Sequence, residues 1–117
     1  MLAVTEVNGC RYCSYVHARL ALAAGVTRAD VGALAGGDLN GSPPEEIPAL
    51  LYAQVWAESD GNSDAEARQT VLETYAEAKT EAIELSMRMI RVGNLAGNTC
   101  DYLMHRVSFG RWGNTKP

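Results

Sequence analysis

The chain has 117 residues, 47% of them hydrophobic and 21% charged, with a net charge of −4. One soluble globular domain with a core of its own fits that size and balance. The scattered Lys and Arg residues provide no basic patch for nucleic acid. The N-terminus carries no charged and apolar leader pattern, and no run nears the roughly 20 apolar residues of a membrane span. Three cysteines are too few for a secreted disulfide framework, and together these features point to a cytoplasmic protein.

Almost every segment reads as helix, because Ala, Leu, Glu and Met dominate and no period-2 alternation occurs. Residues 2–8 form the last turns of a helix stopped by Asn8-Gly9. A second helix runs from Cys10 to Ala24 and ends at Gly25. Thr27, with Asp30 three residues on, caps a short third helix ending at Gly36-Gly37. Gly36 to Pro44 is the loosest stretch. Ser42 then caps a helix with Pro43 in its first turn and Glu45-Glu46 complementing the dipole, ending at Glu58. After Ser59-Asp60-Gly61-Asn62, a Ser63/Glu66 capping box opens a helical stretch to Val107, with an interruption at Lys79-Thr80. Ile83, Met87, Ile90 and Leu95 are its core-facing stripe. The fold class is therefore all-α.

Leu20, Leu22, Leu50, Leu51, Tyr52, Val55 and Trp56 exceed what one small core obviously needs. Either a buried subunit interface or a well-filled monomer core uses that surplus.

The chemistry is concentrated in Asn8-Gly9-Cys10-Arg11-Tyr12-Cys13-Ser14-Tyr15-Val16-His17. On a helix, Cys10, Cys13 and His17 share one face. Cys10 and Cys13 are close enough, at about 5 Å between Cα atoms, for a disulfide. Cys13 and His17 are i, i+4 neighbours, whereas Cys10 and His17 are about 10 Å apart along the axis. A helix start lowers a cysteine pKa through its free N–H groups and dipole, and Arg11 adds positive charge. A thiolate beside a histidine suits attack on a peroxide oxygen or a disulfide sulfur. The same three side chains are also a partial zinc set, although structural zinc wants a fourth ligand. A thioredoxin-type site would need strands that the pattern lacks.

Elsewhere, Cys100 reads as structural and His105 as an exposed helical residue. Gly93 and Gly97 permit close helix contact. Asn94 and Asn98 are suited to interhelical hydrogen bonds, and Glu73, Glu77, Glu81 and Glu84 form a solvated face. There is no carboxylate cluster for a metal and no phosphate loop, so no cofactor is called for.

Thr5 to His17, with its Asn-Gly-Cys-x-Tyr-Cys-x-x-x-His signature followed by small and apolar residues to Gly25, resembles the alkylhydroperoxidase AhpD-like branch of the carboxymuconolactone decarboxylase superfamily. The resemblance is close over residues 3–35 and fades beyond. It implies a helical bundle interlocking in a homo-oligomer, and a thiol-dependent peroxidase. A small hydroperoxide is then the substrate and a dithiol the reductant. It further implies that Cys13 attacks the peroxide, Cys10 resolves the sulfenic acid as a disulfide, and His17 relays protons. Decarboxylases of the superfamily generally lack the cysteine pair. The family's relay glutamate falls roughly three helical turns before Cys10, ahead of Met1, so the chain reads as lacking an N-terminal portion of its domain. Glu6 is the nearest candidate to replace that glutamate. The alternatives are a general dithiol–disulfide oxidoreductase and a non-catalytic, metal-stabilised helical oligomerisation module.

Overall fold

A computed structural model describes residues 1–113. It contains five helices and no strand among those residues: α1 (Leu2–Asn8), α2 (Arg11–Ala23), α3 (Arg28–Ala35), α4 (Ile47–Glu58) and α5 (Ala65–Val107). The all-α reading holds. No helix of the described residues is long and apolar enough to cross a membrane.

At seven residues α1 is far too short to be stable alone, and it owes its existence to burial. Leu2, Ala3, Val4 and Thr5 are all buried, and α1 packs against each of the other four helices. Ala3 and Val4 join Tyr52, Ala53, Trp56 and Ala57 of α4 with Val71, Met87 and Ile90 of α5 in one hydrophobic cluster. Thr5 brings a hydroxyl into this interior, and its Oγ1 donates to Asn94 Oδ1 of α5 at 3.1 Å. Each buried polar group would cost about 1–3 kcal/mol without the other.

Several boundaries differ from the sequence reading, each for a local reason. Pro44 disfavours helical backbone at Pro43, so Ser42 to Glu46 form turns and α4 starts at Ile47, with Pro48 in its first turn. The cap of α5 is Asp64, whose carboxylate accepts from the Glu66 N–H at 3.2 Å. Ser63 instead donates its hydroxyl to the Tyr52 oxygen at 3.4 Å. The core stripe of α5 takes in Asn94 through its bond to Thr5, and Leu95 is 50% exposed.

The interruption in α5 lies at Ala76, with φ 63° and ψ 172°. Thr80 is its counterpart. Its buried hydroxyl donates to the Ala76 carbonyl at 2.8 Å, with the Val71 carbonyl 3.4 Å away, and so ties together the two sides of the break. Across the same break, Arg68 Nε meets Glu84 Oε1 at 2.8 Å and the Tyr52 hydroxyl donates to that oxygen at 3.0 Å. Glu84 is thus a paired, half-buried acid and not part of the solvated face. Burial alone would raise its pKa, but the hydrogen bonds from Arg68 and Tyr52 win and lower it.

The Ala76 backbone lies where only glycine is at ease, a strain of about 1–3 kcal/mol. Ala76→Gly is expected to raise stability by about 1 kcal/mol in thermal or urea denaturation. An unchanged or lower midpoint would refute the strained break.

Candidate active site

The site begins with the turn between α1 and α2. Gly9 adopts the left-handed conformation (φ 69°) and its N–H bonds the Thr5 carbonyl at 2.8 Å, closing α1. The chain is then extended at Cys10, the N-cap of α2, whose Sγ accepts the Cys13 N–H at 3.4 Å. Sulfur here fills the place a Ser or Asp oxygen commonly takes. Both cysteines are free thiols, with Cys10 1% exposed and Cys13 half-buried.

Helix α5 forms the opposite wall. A Cβ placed on Gly97 would come within 2.7 Å of Cys10 Sγ and 3.7 Å of Cys13 Sγ, so both sulfurs converge on a backbone that carries no side chain. Around that glycine, three polar residues at i, i+4 and i+7 clamp the cysteine turn. Asn94 holds Thr5, and Asn98 Nδ2 donates to the Asn8 carbonyl at 2.8 Å. Asp101, buried, accepts from Arg11 at 2.5 Å and from the Tyr12 hydroxyl at 3.1 Å. The interhelical role expected of Asn94 and Asn98 is what they perform. Asp101 and Gly97 emerge as partners of the motif, and the polar spacing 94–98–101 on an otherwise apolar face is the signal that marks them.

Cys13 and His17 line one largely apolar pocket of about 350 Å³, with Tyr12 and Val16 of α2 and Met89 and Gly93 of α5. Gly93 makes no close helix contact; a Cβ there would meet nothing within 4 Å. Glu6 is not brought to this pocket. Its carboxylate lies against Gly37, after α3, about 3.3 Å from where a Cβ on that glycine would sit. Cys100 is exposed, apart from the pair, and His105 is half-buried near Gly110. Among the described residues no group of three or more His, Cys, Asp or Glu side chains is arranged to hold a metal ion. The metal-stabilised alternative therefore finds no ligand set there.

The electrostatics depart from the sequence expectation. Cys13 is pushed up to about 11, first by burial and then by its hydrogen bond with Cys10, and the backbone N–H contribution does not offset these. The charge of Arg11 goes to Asp101, and its guanidinium lies 4.8 Å from the Tyr12 ring centroid. His17 is lowered, chiefly by burial, and stays neutral at neutral pH. The resting site is thus a protonated thiol beside a neutral imidazole.

Residues 1–58 match the family model described as the carboxymuconolactone decarboxylase family. This segment belongs to that family. No curated protein and no solved structure matches the chain. The carboxymuconolactone decarboxylase segment covers α1 to α4 and so contains Cys10, Cys13 and His17. The clamp of Asn94, Gly97, Asn98 and Asp101 lies beyond it, on α5.

Two outcomes follow. Alkylation of Cys13 in reduced protein, in a Cys100→Ser background, is expected to accelerate through the alkaline range toward about pH 11. A plateau already reached by pH 8 would contradict the buried, protonated thiol. Gly97→Ala is expected to cost about 1–3 kcal/mol by driving a methyl into Cys10. Gly93→Ala, with open space around it, should be neutral or stabilising by up to about 1 kcal/mol. Equal effects in paired denaturation curves would refute the close approach at Gly97.

Proposed function

We propose that the protein is a thiol-dependent hydroperoxide reductase, with Cys13 as the attacking thiol, Cys10 as the resolving thiol and His17 as the proton carrier. One observation carries the reading: Cys13 and His17 line the same apolar pocket, while Cys10 is buried behind them against Gly97. A substrate entering that pocket meets Cys13 first. The matched family supports an ancestry among proteins named for a decarboxylase, and the cysteine pair supports redox chemistry in this one.

The scheme balances with the groups present and an external dithiol. Neutral His17 takes the Cys13 proton, which overcomes the high thiol pKa as the reaction proceeds. The thiolate sulfur attacks the terminal peroxide oxygen, the O–O bond breaks, and an alcohol leaves with the proton returned from His17. Cys13 is now a sulfenic acid. Cys10 sulfur displaces its hydroxyl, forming the Cys10–Cys13 disulfide and releasing water. Two thiol–disulfide exchanges with the external dithiol return both thiols. Glu6, turned toward Gly37, is assigned no step. The apolar walls favour an organic hydroperoxide over hydrogen peroxide.

The test is peroxide consumption with a dithiol reductant. Cys13→Ser should lose at least about 100-fold in rate. Cys10→Ser should retain a single turnover and accumulate a sulfenic acid on Cys13 that a dimedone-type reagent traps one to one. Equal rates in wild type and both variants would sink the proposal. Reduction of insulin disulfides faster than any hydroperoxide would favour a general dithiol–disulfide oxidoreductase instead.

A further inference from the structure

Gly93 weakens its helix and serves no contact within the chain. It lies in the interior of α5 with ordinary helical backbone, where glycine is about 1 kcal/mol less favourable than alanine. One turn on, at Gly97, the missing side chain has a use, since a Cβ there would run into Cys10 Sγ. At Gly93 a Cβ would meet nothing within 4 Å, so packing does not exclude a larger residue. What the glycine does is leave open part of the pocket that holds Cys13 and His17.

Helix geometry gives the direction of that opening. At about 100° per residue, Met89, Ile90 and Gly97 project within about 60° of Gly93. Met89 and Ile90 line the pocket, and Gly97 faces the two sulfurs. The bare backbone therefore continues along one face of α5, from the sulfurs at Gly97 to Gly93 about 6 Å along the axis. Cys13 Sγ stands 3.7 Å from where a Gly97 Cβ would sit. A hydroperoxide whose terminal oxygen meets that sulfur can lay its organic group over Gly93.

The surroundings of this space suit hydrocarbon. Val16 closes it from α2, and the Tyr12 hydroxyl is already engaged with Asp101. Met89, unbranched and 59% exposed, forms the far rim. The whole pocket, about 350 Å³, is at the small end of the range of about 300–1,000 Å³ for ligand sites. In so small a volume a single added side chain decides what fits.

We propose that Gly93 is the specificity-determining residue of the site. By carrying no side chain, it admits a hydroperoxide with an aryl or branched alkyl group on the carbon next to the peroxide. The inference rests on the peroxidase reading for the identity of the substrate, whereas the space above Gly93 belongs to the fold alone.

The experiment compares kcat/KM for cumene hydroperoxide and for hydrogen peroxide, with an external dithiol, in wild type, Gly93→Ala and Gly93→Leu. Folding is followed by circular dichroism. The ratio of cumene hydroperoxide to hydrogen peroxide is expected to fall at least about tenfold in Gly93→Leu. Gly93→Ala, which adds one methyl, should lie between and carries the test if leucine costs helicity. An unchanged ratio overturns the proposal and leaves the peroxidase reading standing. A second readout needs no turnover. Cumyl alcohol, the product of that substrate, should protect Cys13 from alkylation in a Cys100→Ser background, and Gly93→Leu should require at least about tenfold more of it. No protection in wild type, or equal protecting concentrations in the two proteins, overturns the proposal. If wild type consumes neither peroxide, the peroxidase reading falls and the protection assay alone decides the role of Gly93.

Discussion

The whole arrangement depends on the burial of α1. Seven residues form a helix only because Leu2, Ala3, Val4 and Thr5 are enclosed by α4 and α5 on one side and α2 and α3 on the other. Burial of these side chains contributes more than any propensity could in so short a segment. The direction in which α1 ends then determines everything downstream. Gly9 turns the chain, Cys10 becomes the cap of α2, and both thiols are delivered to the bare backbone of Gly97.

Close approach and polar anchoring act together there. Gly97 lets sulfur come within reach of the α5 backbone, but it cannot specify a rotation. Asn94, Asn98 and Asp101 do that, each binding a different point of the segment Thr5 to Tyr12. Their long-range bonds span the chain from near one end to near the other. The motif and its clamp are thus far apart in sequence, and the family match ends well before the clamp begins. The same enclosure has a chemical consequence. The burial that orders the thiol pair also raises Cys13 to about 11, so the enclosed sulfur rests as a thiol and not as a preformed thiolate.

Much of this was legible residue by residue. The end of α1 at Asn8-Gly9 and the Thr27 cap of α3 follow from short-range stereochemistry. The shared face of Cys13 and His17 follows from helix geometry. Misreadings arose where two local signals competed. Ser42-Pro43 looked like a helix start, yet the second proline vetoed it. Ser63 looked like a cap, but Asp64 took the role while Tyr52 engaged the serine. Leu95 looked like core because it is apolar, whereas the neighbouring Asn94 is buried by its partnership with Thr5. A hydrogen bond across 89 residues leaves no trace in local periodicity.

What the sequence determined by itself, then, is the all-helical class and the placing of Cys13 and His17 on one face of α2, since propensity, capping and i, i+4 spacing act within a few residues. Only the tertiary structure decided the protonation of that site, because desolvation and the diversion of Arg11 to Asp101 depend on which segments enclose it. It also decided which carboxylates come near. Asp101 anchors the cysteine turn, while Glu6, close in sequence, is turned away toward Gly37.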